Sequence, residues 1–511
     1  MARIRLRPDV ALWAASRDRT FFGSPLGTRP DEQTRQIFGR MLRYAEQHGV
    51  GDLAAVSPST LARDVADRAF ADVAERDAHG SWRVRPEVLY PDPTRVGLHT
   101  LHVSRPDTND SVQARLPAPL WPHVHDLIAA LSSEGHDDRR TVGAEVHELV
   151  AALHSRDLIV EVPDGSELDA PADLPEITFA GHNTVVVRSQ TTSVVLDPFL
   201  RARRTTYPGS YQPLTRRQLG RIDAILLTHS HPDHFDPASL LRFRRDVRVL
   251  VPALERETVL SVDMALRLQE LGFERVTAMS WGDRLRVGDI EVIALPFHGE
   301  QPAEHDVLHP EVRNAGNTYV VRTPTRSCAF VADSGRDPSG DVKDVARDWV
   351  AREGSIDIVF SGYRGWELYP AQLLFSSVSR FLLFVPPALW SIRQRLMSSV
   401  DDAIDVAEGW GARYLVPYAD GGAPWYWDMG LGPVLDGTGH ENITFDPFPE
   451  RVVAAAAQRG QTHSGSFIRS PVDVLLLRPG ESVTFTNAAP SVVRAAGHEW
   501  PYGDTSTGSD S

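Results

Sequence analysis

Between Thr228 and Asp236 the chain reads Thr-His-Ser-His-Pro-Asp-His-Phe-Asp, which sets His229, His231, Asp233 and His234 within six residues. Imidazole nitrogens and carboxylate oxygens are good ligands for zinc, iron and manganese. His229 and His231, two apart at a strand end, can turn to one ion. Asp233 and His234 follow at a turn and can face a second ion beside the first, as a two-metal site requires. Polar residues that merely capped a loop would not need three histidines. The preceding run Ile222–Leu227 is apolar and strand-like, so the cluster begins directly at the end of a buried strand.

This run resembles the His-x-His-x-Asp-His signature of the metallo-β-lactamase superfamily, and other parts of that pattern follow in order over about residues 177 to 485. Gly181-His182-Asn183-Thr184 resembles the opening strand turn of the lipase-like and phosphodiesterase-like branches. His182 is left outside the ligand set, because a structural hydrogen-bonding role suffices for it. Asp197, in Val195-Leu196-Asp197-Pro198-Phe199, resembles the buried aspartate that supports the metal loop from behind. Asp333, in Phe330-Val331-Ala332-Asp333-Ser334-Gly335, resembles the carboxylate that bridges both metals. The implied fold is α/β, a metallo-β-lactamase αββα four-layer sandwich with an N-terminal α+β domain.

Two places depart from the hydrolase pattern. After the strand Ile290–Leu295, where the family places one histidine, the chain offers both an imidazole and a carboxylate in Pro296-Phe297-His298-Gly299-Glu300. Either His298 or Glu300 then completes the first ligand set. Later, where hydrolases carry a Pro-x-His-x-Gly turn, this chain has Pro417-Tyr418-Ala419-Asp420-Gly421 and no histidine. His440 is the nearest downstream replacement and His463 the next.

The glutamate, the long segment ahead of the lactamase-type part and the overall length resemble the chloramphenicol-pathway diiron β-hydroxylase family. That resemblance implies a monooxygenase of antibiotic biosynthesis. Its members hydroxylate the β-carbon of an amino acid held on a carrier protein of a nonribosomal peptide synthetase. It implies two metal ions, iron rather than zinc or manganese, with O2 as co-substrate and an external electron donor. Carried over, His229, His231 and Glu300 hold one iron, Asp233, His234 and a late histidine (His440) the other, and Asp333 bridges. Asp233 and Glu300 are also the candidate catalytic carboxylates. Two other readings stay open: a dinuclear zinc or manganese hydrolase of the phosphodiesterase- or lactonase-like branch with His298 as ligand, and a non-catalytic binding module.

The elements that must position these groups divide the chain in two. A chain of 511 residues is long for a single core. The reading places an N-terminal α+β domain over residues 1–170 and the metallo-β-lactamase-fold domain over 175–490, with a disordered tail at 503–511. Helices are expected near Asp31–His48 and Pro58–Glu75, and short strands near Trp82–Val84 and Gly97–Val103. Trp121–Val162 carries apolar residues at helical spacing and then a strand. That makes a winged-helix-like unit without a basic recognition helix, suited to docking or dimerisation. A Pro/Asp/Gly/Ser linker at Pro163–Pro175 leads into strands at Ile177–Ala180, Thr184–Arg188, Ser193–Leu196, Val247–Val251, Ile290–Leu295, Thr318–Val321, Ala329–Ala332 and Ile356–Phe360. Helices are expected at Glu255–Leu271 and Ser399–Gly409, and closing strands at Val472–Leu477 and Ser482–Phe485. Gly362–Trp366 and Pro424–Trp427 are candidate pocket walls, and Phe375–Met397 a candidate lid or carrier contact.

Composition narrows the class. A formal charge of −15, from 53 basic and 68 acidic residues, argues against a general nucleic-acid binder. One cysteine, Cys328, excludes a disulfide framework and thiolate-rich metal sites. No apolar stretch is long enough to span a bilayer and no signal peptide is evident, so a cytoplasmic location without membrane attachment is expected.

Overall fold

Short apolar runs rich in valine, isoleucine and leucine are what strands buried on both faces require, and here they build two sheets packed face to face. The computed structural model describes residues 3–16, 74–76, 82–84, 99–162, 175–301, 303–304, 307–308, 313–365, 367–368, 394–395, 397–419, 448–462, 472–486 and 489–493, except 109, 134, 137–143, 210, 232 and 256–260. The expected helix at Asp31–His48, the Pro163–Pro175 linker up to residue 174, the tail and most of Phe375–Met397 lie outside them.

The N-terminal strands are β1 (Arg3–Leu6), β2 (Ala11–Ser16), β3 (His99–Ser104), β4 (Ser111–Leu116) and β5 (Ile159–Val162), with helices α1 (Trp121–Ser132) and α2 (Ala144–Ser155). The first sheet holds β6 (Ile177–Gly181), β7 (Thr184–Arg188), β8 (Ser193–Leu196), β9 (Ala224–Leu226), β10 (Arg248–Pro252) and β11 (Arg275–Met279). The second holds β12 (Arg284–Val287), β13 (Ile290–Pro296), β14 (Asn317–Arg322), β15 (Ser327–Ala332), β16 (Ile358–Ser361), β17 (Tyr414–Pro417) and β18 (Asp473–Val474). β19 (Ser482–Thr486) and β20 (Ala489–Val493) return to the first sheet, whose order is β11-β10-β9-β8-β7-β6-β19-β20. In each sheet an antiparallel half gives way to a parallel one: β8, β9, β10 and β11 run parallel, as do β15, β16, β17 and β18.

Side chains alternate across each strand, so each sheet sorts its residues into two layers. Val194, Leu196, Ala224 and Leu226 of the first sheet meet Val292, Ala294, Tyr319, Phe330 and Phe360 of the second. Phe330 stacks on Phe360 with ring centroids 4.7 Å apart. Cys328 is buried in this layer, and burial pushes its thiol well above its ordinary range. The outer face of the second sheet is covered by α5 (Val342–Glu353), α6 (Val400–Gly409) and α7 (Glu450–Thr462). α5 shows why: Val342, Val345, Ala346 and Trp349 form one apolar stripe at helical spacing. α6 opens on a capping box between Ser399 and Asp402.

The outer face of the first sheet is covered differently. Two short helices, α3 (Pro237–Leu240) and α4 (Met264–Glu270), share that face with the N-terminal unit. One apolar cluster runs from Ile4, Leu12, Leu101, Ile128 and Leu153 to Val195, Ile225, Val249, Leu268 and Phe273. Trp121 Nε1 donates to the Leu271 carbonyl at 2.8 Å. The buried His125 ring sits between the carbonyls of Leu271 (2.8 Å) and Phe243 (2.9 Å). Arg242 donates to the Val10 carbonyl and Arg203 N–H to that of Pro8.

The expected helix–helix–strand unit is present, and its strand β5 pairs antiparallel with β1, the first strand of the chain. Of the expected helix at Pro58–Glu75, residues 58–73 lie outside the described residues, and at its end Ala74–Arg76 is a strand paired with Trp82–Val84. Within Glu255–Leu271 the described helix is only Met264–Glu270, begun by the Asp263 side chain accepting from Leu266 N–H. Among the described residues no helix is long and apolar enough to cross a membrane.

Candidate metal centre

Ligand-bearing loops gather where parallel strands end, the usual place for a site in an α/β sheet. β8 ends at Leu196, and Asp197 turns back with φ 36°. Its carboxylate accepts from Thr228 N–H (2.8 Å), from the Thr228 hydroxyl (2.6 Å) and from His234 Nδ1 (2.8 Å). The loop after β9 is therefore tied to the neighbouring strand end, and His234 presents Nε2 forward. The peptide N–H groups of His234 and Phe235 both donate to the His231 carbonyl, which tightens the turn. Asp236 then caps α3 through Ala238 and Ser239 N–H, with Pro237 in the first helical position. Asn317 N–H donates to the Thr228 carbonyl at 2.8 Å, stitching this loop to the second sheet.

Five of the six non-glycine residues with positive φ among the described residues border this site: His182, Asp197, Glu300, Ala332 and Ala419. Such conformations cost about 1–3 kcal/mol each and persist only where surroundings enforce them. At Ala332 the enforcement is visible. Its N–H donates to the Tyr418 hydroxyl at 2.9 Å and its carbonyl accepts from Gly362 N–H at 3.0 Å. A Cβ on residue 362 would lie 2.7 Å from that carbonyl oxygen, so glycine is required there.

Two donor groups converge. His229, His231, Glu300 and Asp333 form one, and His182, Asp233 and His234 the other, the ligand atoms of each group lying within 4.8 Å of one another. Glu300 Oε2 lies 3.2 Å from both His229 Nε2 and His231 Nδ1. Asp333 Oδ2 lies 3.1 Å from His234 Nε2 and 3.9 Å from His229 Nε2, placing that carboxylate between the two groups. Asp233 Oδ2 is 2.9 Å from His182 Nε2 and 3.9 Å from His234 Nε2.

Burial and neighbouring charge work against each other here. Burial lowers His229, and the adjacent His234 lowers it further. Burial would lower His231 and His234 too. The Glu300 carboxylate raises the first above its ordinary value, and Asp333, Asp233 and Asp197 raise the second well above it. Burial disfavours ionised carboxylates, yet His234 and His182 hold Asp233 well below the usual range. His231 and His229 hold Glu300 below it as well.

The structure separates His298 from Glu300. The His298 ring turns away from the donor group: Nδ1 contacts the Ser339 hydroxyl at 3.0 Å and lies 3.8 Å from Asp337, with Trp281 against the ring. Its backbone clamps two loops together, since its N–H donates to the Ser334 hydroxyl and its carbonyl accepts from Ser334 and Gly335. Glu300, two residues on with φ 51°, is the group that reaches the histidines. Asn314 Nδ2 donates to Glu300 Oε2 at 3.0 Å, and Ser261 holds Asn314 in turn. His440, His463 and Pro424–Trp427 lie outside the described residues. His182, left out of the ligand set on sequence grounds, stands inside the second group.

The donor set fits a pair of first-row ions. His229 Nε2 and Asp333 Oδ1 are buried polar atoms without a hydrogen-bond partner, in a place where nearly every such atom has one. His229 Nε2 is close to Glu300 but not aligned to donate to it. A cation between the groups would satisfy both atoms and offset the three clustered carboxylates.

Fold and site define a class: residues 192–417 match the model of the Beta-lactamase superfamily domain, and the two packed sheets are a metallo-β-lactamase fold. Particular relatives follow from sequence and structure. Over 179 residues the chain is 36% identical to the 4-amino-L-phenylalanyl-(CmlP-peptidyl-carrier-protein) 3-hydroxylase of Streptomyces venezuelae, covering 34% of this chain and 32% of that protein. Over 119 residues it is 30% identical to a metal-dependent hydrolase of Koribacter versatilis, covering 23% of this chain and 44% of that protein. Each match thus spans less than half the relative's own length. The crystal structure of CmlA, a diiron beta-hydroxylase from Streptomyces venezuelae, superposes with a TM-score of 0.57 at 18% identity over 97% of this chain and 100% of that one. The shared fold therefore includes the described residues of the N-terminal part.

Proposed function

We propose that this chain is a non-heme diiron oxygenase that hydroxylates the β-carbon of an amino acid tethered to a carrier protein, in nonribosomal peptide biosynthesis. The observation that carries this reading is Glu300, which meets His229 and His231 at 3.2 Å while His298 is held elsewhere. With Asp233 and Asp333 the centre has three carboxylates. That suits iron cycling through higher oxidation states better than zinc. The 3-hydroxylase relative, named for an aminoacyl carrier-protein substrate, supports the same substrate class.

His229, His231 and Glu300 would hold one iron, Asp233 and His234 the second, and Asp333 would lie between them. Bound iron supplies the activation of O2, which no side chain can perform. The chain's own residues orient the ligands and keep water out. Asp197 fixes the tautomer and ring plane of His234 through Nδ1, and Asn314 fixes the Glu300 carboxylate. Phe297 lies against His229 and Phe199 against His182, giving these rings apolar backing.

The test is elemental analysis of freshly purified protein with an optical spectrum, followed by a single turnover on aminoacyl carrier proteins. About two irons per chain, near-ultraviolet absorption that bleaches on reduction, and a product one oxygen heavier are expected. Two zinc ions and a featureless spectrum after expression in iron-rich medium would sink the proposal and direct attention to esters and phosphodiesters.

A further inference from the structure

The geometry points to His182, in the turn between β6 and β7, as a direct ligand of the second metal position beside Asp233 and His234. The inference rests on the metal-centre reading above. Donors bound at about 2.1 Å to one ion lie roughly 3 to 4 Å from each other. Asp233 Oδ2 stands 2.9 Å from His182 Nε2 and 3.9 Å from His234 Nε2, and all three ligand atoms fall within one 4.8 Å set.

The backbone around His182 is arranged to deliver that ring. Residue 182 is 1% exposed and held at φ 51°, a conformation a β-hairpin turn would normally give to glycine or asparagine. Its carbonyl accepts from Ala419 N–H at 2.9 Å, and the adjacent Asn183 side chain donates to the Asp233 carbonyl at 3.0 Å. The first of these contacts has a further meaning. Ala419, itself at φ 62°, is the third residue of Pro417-Tyr418-Ala419, the turn in which this sequence has no histidine. Backbone atoms of residues 182 and 419 are hydrogen-bonded, so an imidazole carried on residue 182 enters the cluster from beside the position that lacks one. A ligand absent at one point of the chain is replaced from a point remote in sequence and adjacent in space.

The alternative role for His182 is a hydrogen bond that merely orients Asp233, and cobalt separates the two. Full-length wild type, His182→Ala and His182→Gln, each checked for folding by circular dichroism, are stripped and titrated with Co(II) alone. Glutamine keeps a donor for Asp233 but is a poor metal ligand. The expected result is two cobalt ions in wild type, with the second equivalent weakened in both His182 variants by more than the roughly 10- to 100-fold that loss of a hydrogen bond to a ligand costs. Loss of one imidazole N–H among the paramagnetically shifted proton resonances of the two His182 variants would accompany it. Recovery of wild-type affinity by His182→Gln, or two tightly held ions in His182→Ala, overturns the proposal and leaves the metal centre standing. Failure of wild type to take up two ions overturns both.

Discussion

Asp197 accepts three hydrogen bonds on two oxygens, and every one goes to the histidine loop. It is 1% exposed, so nothing from solvent can replace it. Asp197→Ala removes the carboxylate that accepts from the Thr228 hydroxyl and pairs with His234 Nδ1, at a cost of about 3–5 kcal/mol in stability. It also weakens metal binding roughly 10- to 100-fold; urea denaturation and metal titration measure the two effects. Glu300 and His298 give a sharper contrast. Glu300→Ala is expected to lower the bound metal, whereas His298→Ala, which removes a ring held by Ser339, keeps the full complement; elemental analysis of both variants decides it. How legible these residues were depended on chain distance. His229, His231, Asp233 and His234 announce themselves because their spacing is local. Glu300 and His298 are two apart in a loop, and which side chain faces inward follows from the φ of 51° at Glu300 together with Ser339 on His298 and Asn314 on Glu300, none of them visible in the local sequence. His182 has its partner 51 residues away, and no local pattern carries that information.

At the level of elements, strands buried on both faces were easiest to read. Thr184–Arg188 and Ser193–Leu196 stand where their continuous apolar runs place them. β1 was missed because Arg3-Ile4-Arg5-Leu6 looks like a charged terminus, although Ile4 and Leu6 alternate inward. The end of β15 shows how an element delivers a ligand. Ala332 takes a left-handed turn under Tyr418 and Gly362, and Asp333 emerges beside His234. Gly362→Ala would drive a methyl group into the Ala332 carbonyl and, at 3.6 Å, against Asp333 Oδ1. Overpacking of that kind costs about 1–3 kcal/mol. A lower thermal midpoint together with reduced metal content is the expected outcome. A fall in stability with normal metal content would show that Asp333 does not depend on this turn.

Taken whole, the molecule uses its N-terminal unit as one of the outer layers of the sandwich. Periodicity revealed which faces of α1 and the first sheet are apolar, but not that they cover each other, since a pattern names a buried face without naming its cover. The contact has a titratable group at its centre. Burial lowers His125 to about 4, while the two carbonyls pull the other way because only a protonated ring can donate to both; where burial prevails, the folded ring is neutral near neutral pH. The unfolded chain takes up that proton near 6.5, so the contribution is complete above this value. It is lost as pH falls toward 4, by up to about 3 kcal/mol. Urea midpoints at pH 7 and 5 should separate in wild type and draw together in His125→Gln; equal separation in both would remove His125 as the cause. Cys328 closes the account from the opposite layer. The chain's single thiol lies between the sheets with its proton held by burial, out of reach of maleimides on the native protein. Any cysteine introduced on the surface therefore becomes the sole attachment point for a dye or nitroxide. Distances from such a probe to a paramagnetic ion could then be measured without first engineering a thiol-free background.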